Sequence, residues 1–544
     1  MAEAAKAAQR TDSIALINGI VYPMAGESRS SALFARGGII KSLGSDKDIL
    51  SMCDGKTVVL DMKGKAVLPG FTDTHNHLLA TGRSLETLDL RGTHSIAAMI
   101  KDGREYLSAS GLPEGEWFQA RGWNQEHLAE KRYPNKNDLD KITKDVPMFF
   151  ERSCGHIAAL NSKAMELLNI GPGFKIAGGV VSTDENGEPT GVISEAVVSW
   201  VRTNIPVYSQ EALARWYMNA TDEMVRLGIT SVQTDDLEIT GSAEKIFSLY
   251  ETMEANGKMP LRIAQQWQIR DVASLESFIS NGYSTRKGEY FKSGPLKVHV
   301  DGTLGARTAA LREEYSDDPG NRGVYTHSQN ELLKFFQIAQ NASMQVAFYA
   351  IGDGAIERCL NVIERSQPAK NQFRHRIVHC QVGAEDLYER MSKLGVMADI
   401  QPAFVISDWP IVLPRLGAER ARLSYSWKLL SQFGIKVGAG SDAPSEQLNP
   451  FNGIRAAIMR QDMSGKPEHG WMPSQRLTAE EAFSLCTKGS AEVCGEGKMC
   501  GTLEPGKSAD MVAYINDPFT LKPEELLDVK VGLTVVDGRI SYIR

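Results

Sequence analysis

Apolar positions along the chain follow two rhythms. Through the middle, eight short apolar, β-branched runs recur at residues 66–73, 228–233, 261–269, 296–300, 345–351, 376–380, 396–401 and 436–440. Between several of them the apolar residues return every three or four positions, as at 246–255, 331–341 and 355–366. Strand–helix alternation of this kind predicts parallel βαβ units. Eight of them predict an α/β fold, a closed (β/α)8 TIM barrel over residues 68–497. At the two ends the helical rhythm is absent. Residues 13–24, 32–43 and 57–62, and then 509–515 and 531–543, are short strand-like runs, the last containing a hairpin-type Asp537-Gly538. Neither end holds enough apolar residues for its own core, so residues 1–67 and 498–544 are expected to pair into one small β-sandwich.

The stretch from Leu79 to Trp216 breaks the alternation with Gly, Pro, charge and its own aromatic clusters. It reads as an insertion, residues 80–216, after the first barrel strand. Such an insertion would cover the face where barrel active sites lie, as a lid or substrate-shaping element, or else form an elaborated surface subdomain.

Composition narrows the class only a little. The 544 residues are 42% hydrophobic and 23% charged, an ordinary globular balance. The net charge of −7, with no basic block, gives no nucleic-acid footprint. No apolar run approaches the roughly 20 residues that span a bilayer. The opening residues lack the apolar core of a secretory signal. Seven cysteines without a CxxC pair argue against a disulfide framework or a zinc ribbon. Reduced thiols and a cytoplasmic location are the expectation, with a homodimer as the default assembly.

The chemistry concentrates in Leu68-Pro69-Gly70-Phe71-Thr72-Asp73-Thr74-His75-Asn76-His77. At the end of a strand, His75 and His77 point to the same side and can share one metal ion. A bare His pair is as readily surface or core. The flanking residues change that reading: this segment resembles the opening strand of the amidohydrolase superfamily. Gly501-Thr502-Leu503-Glu504-Pro505-Gly506-Lys507-Ser508-Ala509-Asp510 is similar to the segment with which such enzymes re-enter their β-sandwich. The interior resembles the amidohydrolase-3 branch, the YtcJ-like and N-substituted formamide deformylase proteins. Five blocks carry that resemblance: Gly122-Trp123-Asn124-Gln125, Ser153-Cys154-Gly155-His156 running to Lys163, Gly191 to Glu195, Lys297 to Ala309, and Gly440-Ser441-Asp442-Ala443-Pro444.

The resemblance implies a metal site of His75, His77, Lys297, His379 and Asp442, with Lys297 carboxylated and bridging two ions. A lysine inside an apolar strand is disfavoured as a cation, which suits carboxylation, although a buried ion pair is the alternative. The resemblance also places His156 near the reacting centre, as a catalytic or carbonyl-binding group. Trp123 and Glu195 become candidate substrate contacts, with a packing Trp and a salt-bridged Glu as the plainer readings.

One position departs from the family pattern. Tyr349 stands in Val346-Ala347-Phe348-Tyr349-Ala350-Ile351-Gly352-Asp353 where a His ligand is expected. A phenol is a poor ligand at neutral pH. Three consequences stay open: His299, two residues after Lys297, takes over as ligand while Tyr349 faces substrate; the enzyme works with one ion; or activity is altered. Val378, where the family has Glu, removes a contact behind the ligands.

The expected reaction is hydrolysis of an amide, N-acyl or N-formyl C–N bond by metal-activated water, with Asp442 as general base. The cofactor is one or two divalent ions, zinc first, with manganese or iron fitting the same donors. The partner is a small-molecule amide, and neither nucleic acid nor membrane is expected. A metal-poor binding or regulatory protein, or a metal-dependent isomerase or decarboxylase, are the alternatives on the same fold.

Overall fold

The computed structural model describes residues 12–26, 29–112, 115–153, 156–176, 178–205, 208–366 and 371–544. The chain forms two compact units: residues up to Thr81 together with Tyr217–Arg544, and Gly82–Trp216.

The larger unit contains the barrel. Its strands are, in chain order, Phe71–Asn76, Ile229–Thr234, Arg262–Gln268, Phe291–His299, Val346–Ala350, Arg376–His379, Met397–Ile400 and Val437–Ala439. Each runs parallel to the next, in chain order, through one eight-stranded sheet. The ends of that sheet meet. Asp442 N, just past the eighth strand, donates to the His75 carbonyl of the first at 2.8 Å. Gly440 makes the seam: a Cβ there would lie 2.5 Å from His75 N. The first strand is buried along its whole length, as a parallel strand covered on both faces is, although Phe71 is its one apolar residue.

Residues 66–73 are not one barrel strand. The structure divides them at Gly70. Ala66–Pro69 belongs to a second sheet, pairing with Ile20–Val21 and Met511–Tyr514. Gly70 N then bonds to Asp510 O in that sheet, while Phe71 N bonds to Gly228 O in the barrel, both at 3.0 Å. A side chain at 70 would collide with Thr230 at 2.2 Å, so glycine allows the strand to change partners in one residue. The fourth strand also differs: it begins at Phe291, five residues ahead of the predicted run. Ser293-Gly294-Pro295 reads as a turn in sequence, but Gly294 lies flat against Gln265 O, and a register shift between Gln265 and Trp267 absorbs the irregularity.

Strands from both termini build the remaining β structure of this unit. One four-stranded sheet holds Ser13–Ile17, Ala32–Arg36, Ile39–Gly44 and Val58–Asp61; a five-stranded sheet adds Val531–Val536 and Arg539–Ile543 to the three strands already named. Ile14, Leu16, Leu33, Val67, Met511 and Val535 from the two sheets share one apolar core. A buried Arg262–Asp510 pair, 3.1 Å, ties it to the third barrel strand.

Gly82–Trp216 has its own six-stranded sheet of Leu88–Asp89, Phe118–Trp123, Met148–Arg152, Ile157–Leu160, Gly179–Thr183 and Pro189–Glu195. Two apolar clusters flank it, one around Phe149 and Val197, the other around Met99 and Trp123. No helix among the described residues is long and apolar enough to cross a membrane. The six described cysteines are unpaired, and Cys154 lies outside the described residues.

Candidate metal centre

The site is assembled at the C-terminal ends of the barrel strands, where the backbone carbonyls stop being used by the sheet and side chains from different strands converge. His75 Nε2 and His77 Nε2 lie 3.4 and 3.3 Å from the same oxygen, Asp442 Oδ1. Donor atoms of these three residues all fall within 4.8 Å of one another. Asn76 between the two imidazoles turns away and bonds to Asp73 and Ser441 instead.

Asp73 organises this corner. Its carboxylate accepts from His75 N and Asn76 Nδ2 on the first strand, and from Ser441 N and Ser441 Oγ beyond the eighth. One buried carboxyl therefore fixes both loops that carry the donors. Burial pushes it up to about 6, even though four hydrogen bonds oppose the shift. Asp442 itself has φ +55° and His379 φ +71°, the left-handed region that non-glycine residues avoid. Backbone strain at two candidate ligands is held by the surrounding hydrogen bonds.

The two imidazoles of the first strand are tuned in opposite directions. Burial, with the Lys297 charge nearby, holds His75 well below the usual histidine range. Burial acts on His77 in the same sense, but the hydrogen bond and charge of Asp442, with the charge of Asp235, together outweigh it and the net shift is upward. Burial opposes ionisation of Asp442, but the hydrogen bond to His77 and the charges of His379, His77 and Lys297 together overcome it, so its carboxyl is held below the ordinary range. His77 Nδ1 lies 2.9 Å from the Asp235 carbonyl, which places a proton on Nδ1 and turns Nε2 toward Asp442.

Lys297 points into the same space. Its Nζ is 3.4 Å from His75 Nε2 and 3.0 Å from Asp235 Oδ2, and both partners of the Lys297–Asp235 pair are buried. His379 packs edge-on to His75 at 5.5 Å between ring centroids, and burial lowers its pKa to about 4. Neither ring nitrogen of His379 has a hydrogen bond of good geometry, nor do His75 Nδ1 and Asp235 Oδ1. Buried polar atoms without partners are costly, and these belong to residues that border the His75–His77–Asp442 cluster.

His299 is not in the cluster of mutually close donors. It stacks on Tyr349, 4.2 Å and 7° between planes, and Tyr349 in turn meets His379 edge-on at 4.4 Å. The phenol ring thus lies against both imidazoles. Burial moves Tyr349 further above its ordinary value, so it remains a neutral phenol. His299 is pushed down to about 3 by burial.

The three residues of the insertion sit within their own unit. His156 Nδ1 is 3.2 Å from Glu195 Oε2, and both side chains are exposed. Cys154 and Gly155, from the same sequence block, lie outside the described residues. Trp123 is fully buried and its indole N–H bonds to Phe150 O at 2.9 Å. Its surface is taken up by the insertion's own core.

Sequence reasoning missed Asp235, which closes the second barrel strand and pairs with Lys297. The signal was the polar Thr234-Asp235-Asp236 run at the end of an apolar strand. It also missed the buried Arg376–Asp399 pair, 3.0 Å, that crosses between the sixth and seventh strands below the site.

The sequence model of the amidohydrolase family matches residues 58–542. The chain belongs to the amidohydrolase family. It is 33% identical to the YtcJ protein of Bacillus subtilis strain 168 over 527 residues, covering 96% of this chain and 98% of that one. It is 25% identical to the N-substituted formamide deformylase of Arthrobacter pascens, covering 95% and 96%. Among solved structures, an uncharacterized metal-dependent hydrolase from Pyrococcus horikoshii superposes with a TM-score of 0.78 at 30% identity, covering 94% of this chain and 99% of that one. Membership in this family makes the protein a hydrolase on a TIM barrel with an additional domain.

Proposed function

We propose that this amidohydrolase cleaves the C–N bond of a small amide, an N-acyl or N-formyl amine or a cyclic amide, at a single divalent ion. His75, His77 and Asp442 would hold the ion, with Lys297 and His379 beside it. The observation that carries the reading is the convergence of two imidazole nitrogens on one carboxylate oxygen at 3.4 and 3.3 Å, in a setting that keeps His75 neutral. Imidazole and carboxylate donors at this spacing suit zinc, and His379, packed edge-on to His75, keeps both ring nitrogens without a hydrogen-bond partner. The deformylase named above is compatible with C–N chemistry.

Once bound, the ion supplies Lewis acidity, which acidifies water and polarises a carbonyl. The remaining work belongs to the chain. Asp442 accepts the proton of the attacking water at its carboxylate and returns it to the departing nitrogen, which the amine needs in order to leave. Its depressed pKa keeps it ionised and ready as a base. His77 is fixed by the Asp235 carbonyl, so its Nε2 cannot rotate away. Asp73 holds the Asp442 loop against the first strand. Lys297 contributes as the cation paired to Asp235, or, carboxylated on Nζ, as a further oxygen donor. Tyr349, neutral and partly exposed, is assigned to substrate, and Phe404, whose ring faces His379 at 6.0 Å, to an apolar substituent.

The test is amine release from a panel of N-formyl, N-acetyl and cyclic amides. The wild type releases amine from one class and loses the activity to a chelator. Asp442→Asn lowers the rate by about 10²–10⁴-fold. Release that survives both chelator and Asp442→Asn, or no release from any class while another reaction turns over, would refute the reading.

A further inference from the structure

Tyr349 lies near the end of the fifth barrel strand, Val346–Ala350, where the strands open onto the site. Two contacts at right angles fix its ring. It lies flat on His299, 4.2 Å between centroids and 7° between planes, and meets His379 edge-on at 4.4 Å and 76°. A ring held on a face and on an edge has little room to tilt or swing, so packing alone aims its hydroxyl.

That hydroxyl is uncommitted. Among the described residues no protein group pairs with it, and it is not one of the sealed polar atoms left without a partner. Its residue is partly exposed. His299 Nε2 and both ring nitrogens of His379, by contrast, are sealed and unpartnered. The phenol therefore presents the one free donor of this trio that open space reaches.

Three carboxylates locate it in the barrel mouth. The charges of Asp301, Asp442 and Asp408 all act on Tyr349. They follow the fourth strand, follow the eighth, and sit in the helix Phe404–Ala421 beyond the seventh. Each is occupied elsewhere. Asp301 accepts from the backbone N–H groups of Ala310, Ile351 and Gly352, Asp408 accepts from Tyr425 OH, and Asp442 faces His75 and His77. Burial, joined by these three charges, holds the phenol well above its ordinary range, so it keeps its proton.

Such a phenol has one task left to it in amide hydrolysis. It cannot accept the proton of the attacking water, and it releases its own too reluctantly to serve the departing nitrogen. Both transfers fall to Asp442. What remains is the carbonyl oxygen, which gains charge as its carbon becomes tetrahedral.

We propose that Tyr349 is a catalytic residue whose hydroxyl donates to the substrate carbonyl oxygen and stabilises the charge that develops there. The assignment rests on the amide-hydrolysis reading of the same site. Water oxygen bonds to the carbonyl carbon, its proton passes to Asp442, and the π pair moves onto the oxygen beside Tyr349 Oη. The pair returns as the C–N bond breaks, and the proton goes to nitrogen. The phenol keeps its proton throughout.

The test separates kcat from KM in Tyr349→Phe, which keeps the ring against both imidazoles and removes only the donor. The probes are N-formylbenzylamine, N-acetylbenzylamine and 2-pyrrolidinone, followed by the amine that appears. On the class the wild type cleaves, the variant loses about 10²–10³-fold in kcat with KM near the wild-type value. Metal content by elemental analysis and urea unfolding stay those of the wild type. A raised KM with unchanged kcat would make Tyr349 a ground-state contact and overturn the role, as would full turnover. A loss of turnover matched by lost metal or lost folded fraction would also overturn it, showing a packing role against His379. A wild type that cleaves none of the three classes would refute the amide reading itself, and this role with it.

Discussion

His75 and His77 are two residues apart on one strand, yet their surroundings drive their protonation in opposite directions. Burial, reinforced by the neighbouring Lys297, lowers His75, whereas at His77 the hydrogen bond and charge of Asp442, with Asp235, together outweigh burial. Lys297 is the residue on which the ligand account turns. Removing one member of a buried ion pair strands the other, at about 3–5 kcal/mol. Asp235→Ala is therefore expected to destabilise the chain by that order if Lys297 is a cation, and Lys297→Met added to it is expected to restore part of the loss. Urea unfolding measures both. A carboxylated Lys297 has no such cation to strand, and Asp235→Ala would then cost far less. His375 gives a second prediction at this scale. Its Nδ1 accepts from Val346 N at 3.0 Å, and burial lowers its pKa from 6.5 to about 3. A depressed histidine stabilises the fold above its unfolded pKa, and that stability is lost as pH falls from about 6.5 toward 3. His375→Gln should flatten the pH dependence of stability in that window by up to about 1.4 kcal/mol per pH unit. An unchanged slope would contradict the buried neutral assignment. His75, His77 and Asp442 were legible in the sequence because short motifs at strand ends carry them. Asp235 was not, since Thr-Asp-Asp after a strand reads as a cap until the opposite strand supplies a lysine.

Among the elements, the seam between the first and eighth strands does the positioning. Asp73 bonds to both sides of it, and Gly440 brings the backbones close enough for Asp442 N to reach His75 O. An added methyl at Gly440 would meet His75 N at 2.5 Å and must push the two loops apart. Gly440→Ala is expected to cost about 1–3 kcal/mol of stability and to lower turnover about 10²-fold, because small misplacements of catalytic groups are expensive. Turnover falling no further than folded fraction would show that the seam is structural only. The barrel strands themselves could be read from the sequence because each is a compact apolar run bounded by turn residues. The division at Gly70 could not, because Ala66–Asn76 is continuous in character and only the collision with Thr230 shows why the chain changes sheets. The sheet of the insertion was hidden for the opposite reason. Strands such as Leu88–Asp89 and Gly179–Thr183 are too short or too exposed to leave an alternating pattern.

For the whole molecule, the fold class follows from eight strand–helix repeats, and the family from motifs spread over most of the chain. In the proposed reading, Tyr349 limits that fold to one ion. It stays a neutral phenol packed between His299 and His379, so the donors that meet at one point belong to His75, His77 and Asp442. The measurement that tests this most directly is the metal content of the purified chain by elemental analysis, taken with turnover on the same samples, for the wild type and His77→Ala. The account predicts close to one equivalent of a divalent ion per wild-type chain, with turnover proportional to it, and loss of both in the variant. A wild type that turns over without metal, or a variant that keeps the full ion and full rate, would contradict it.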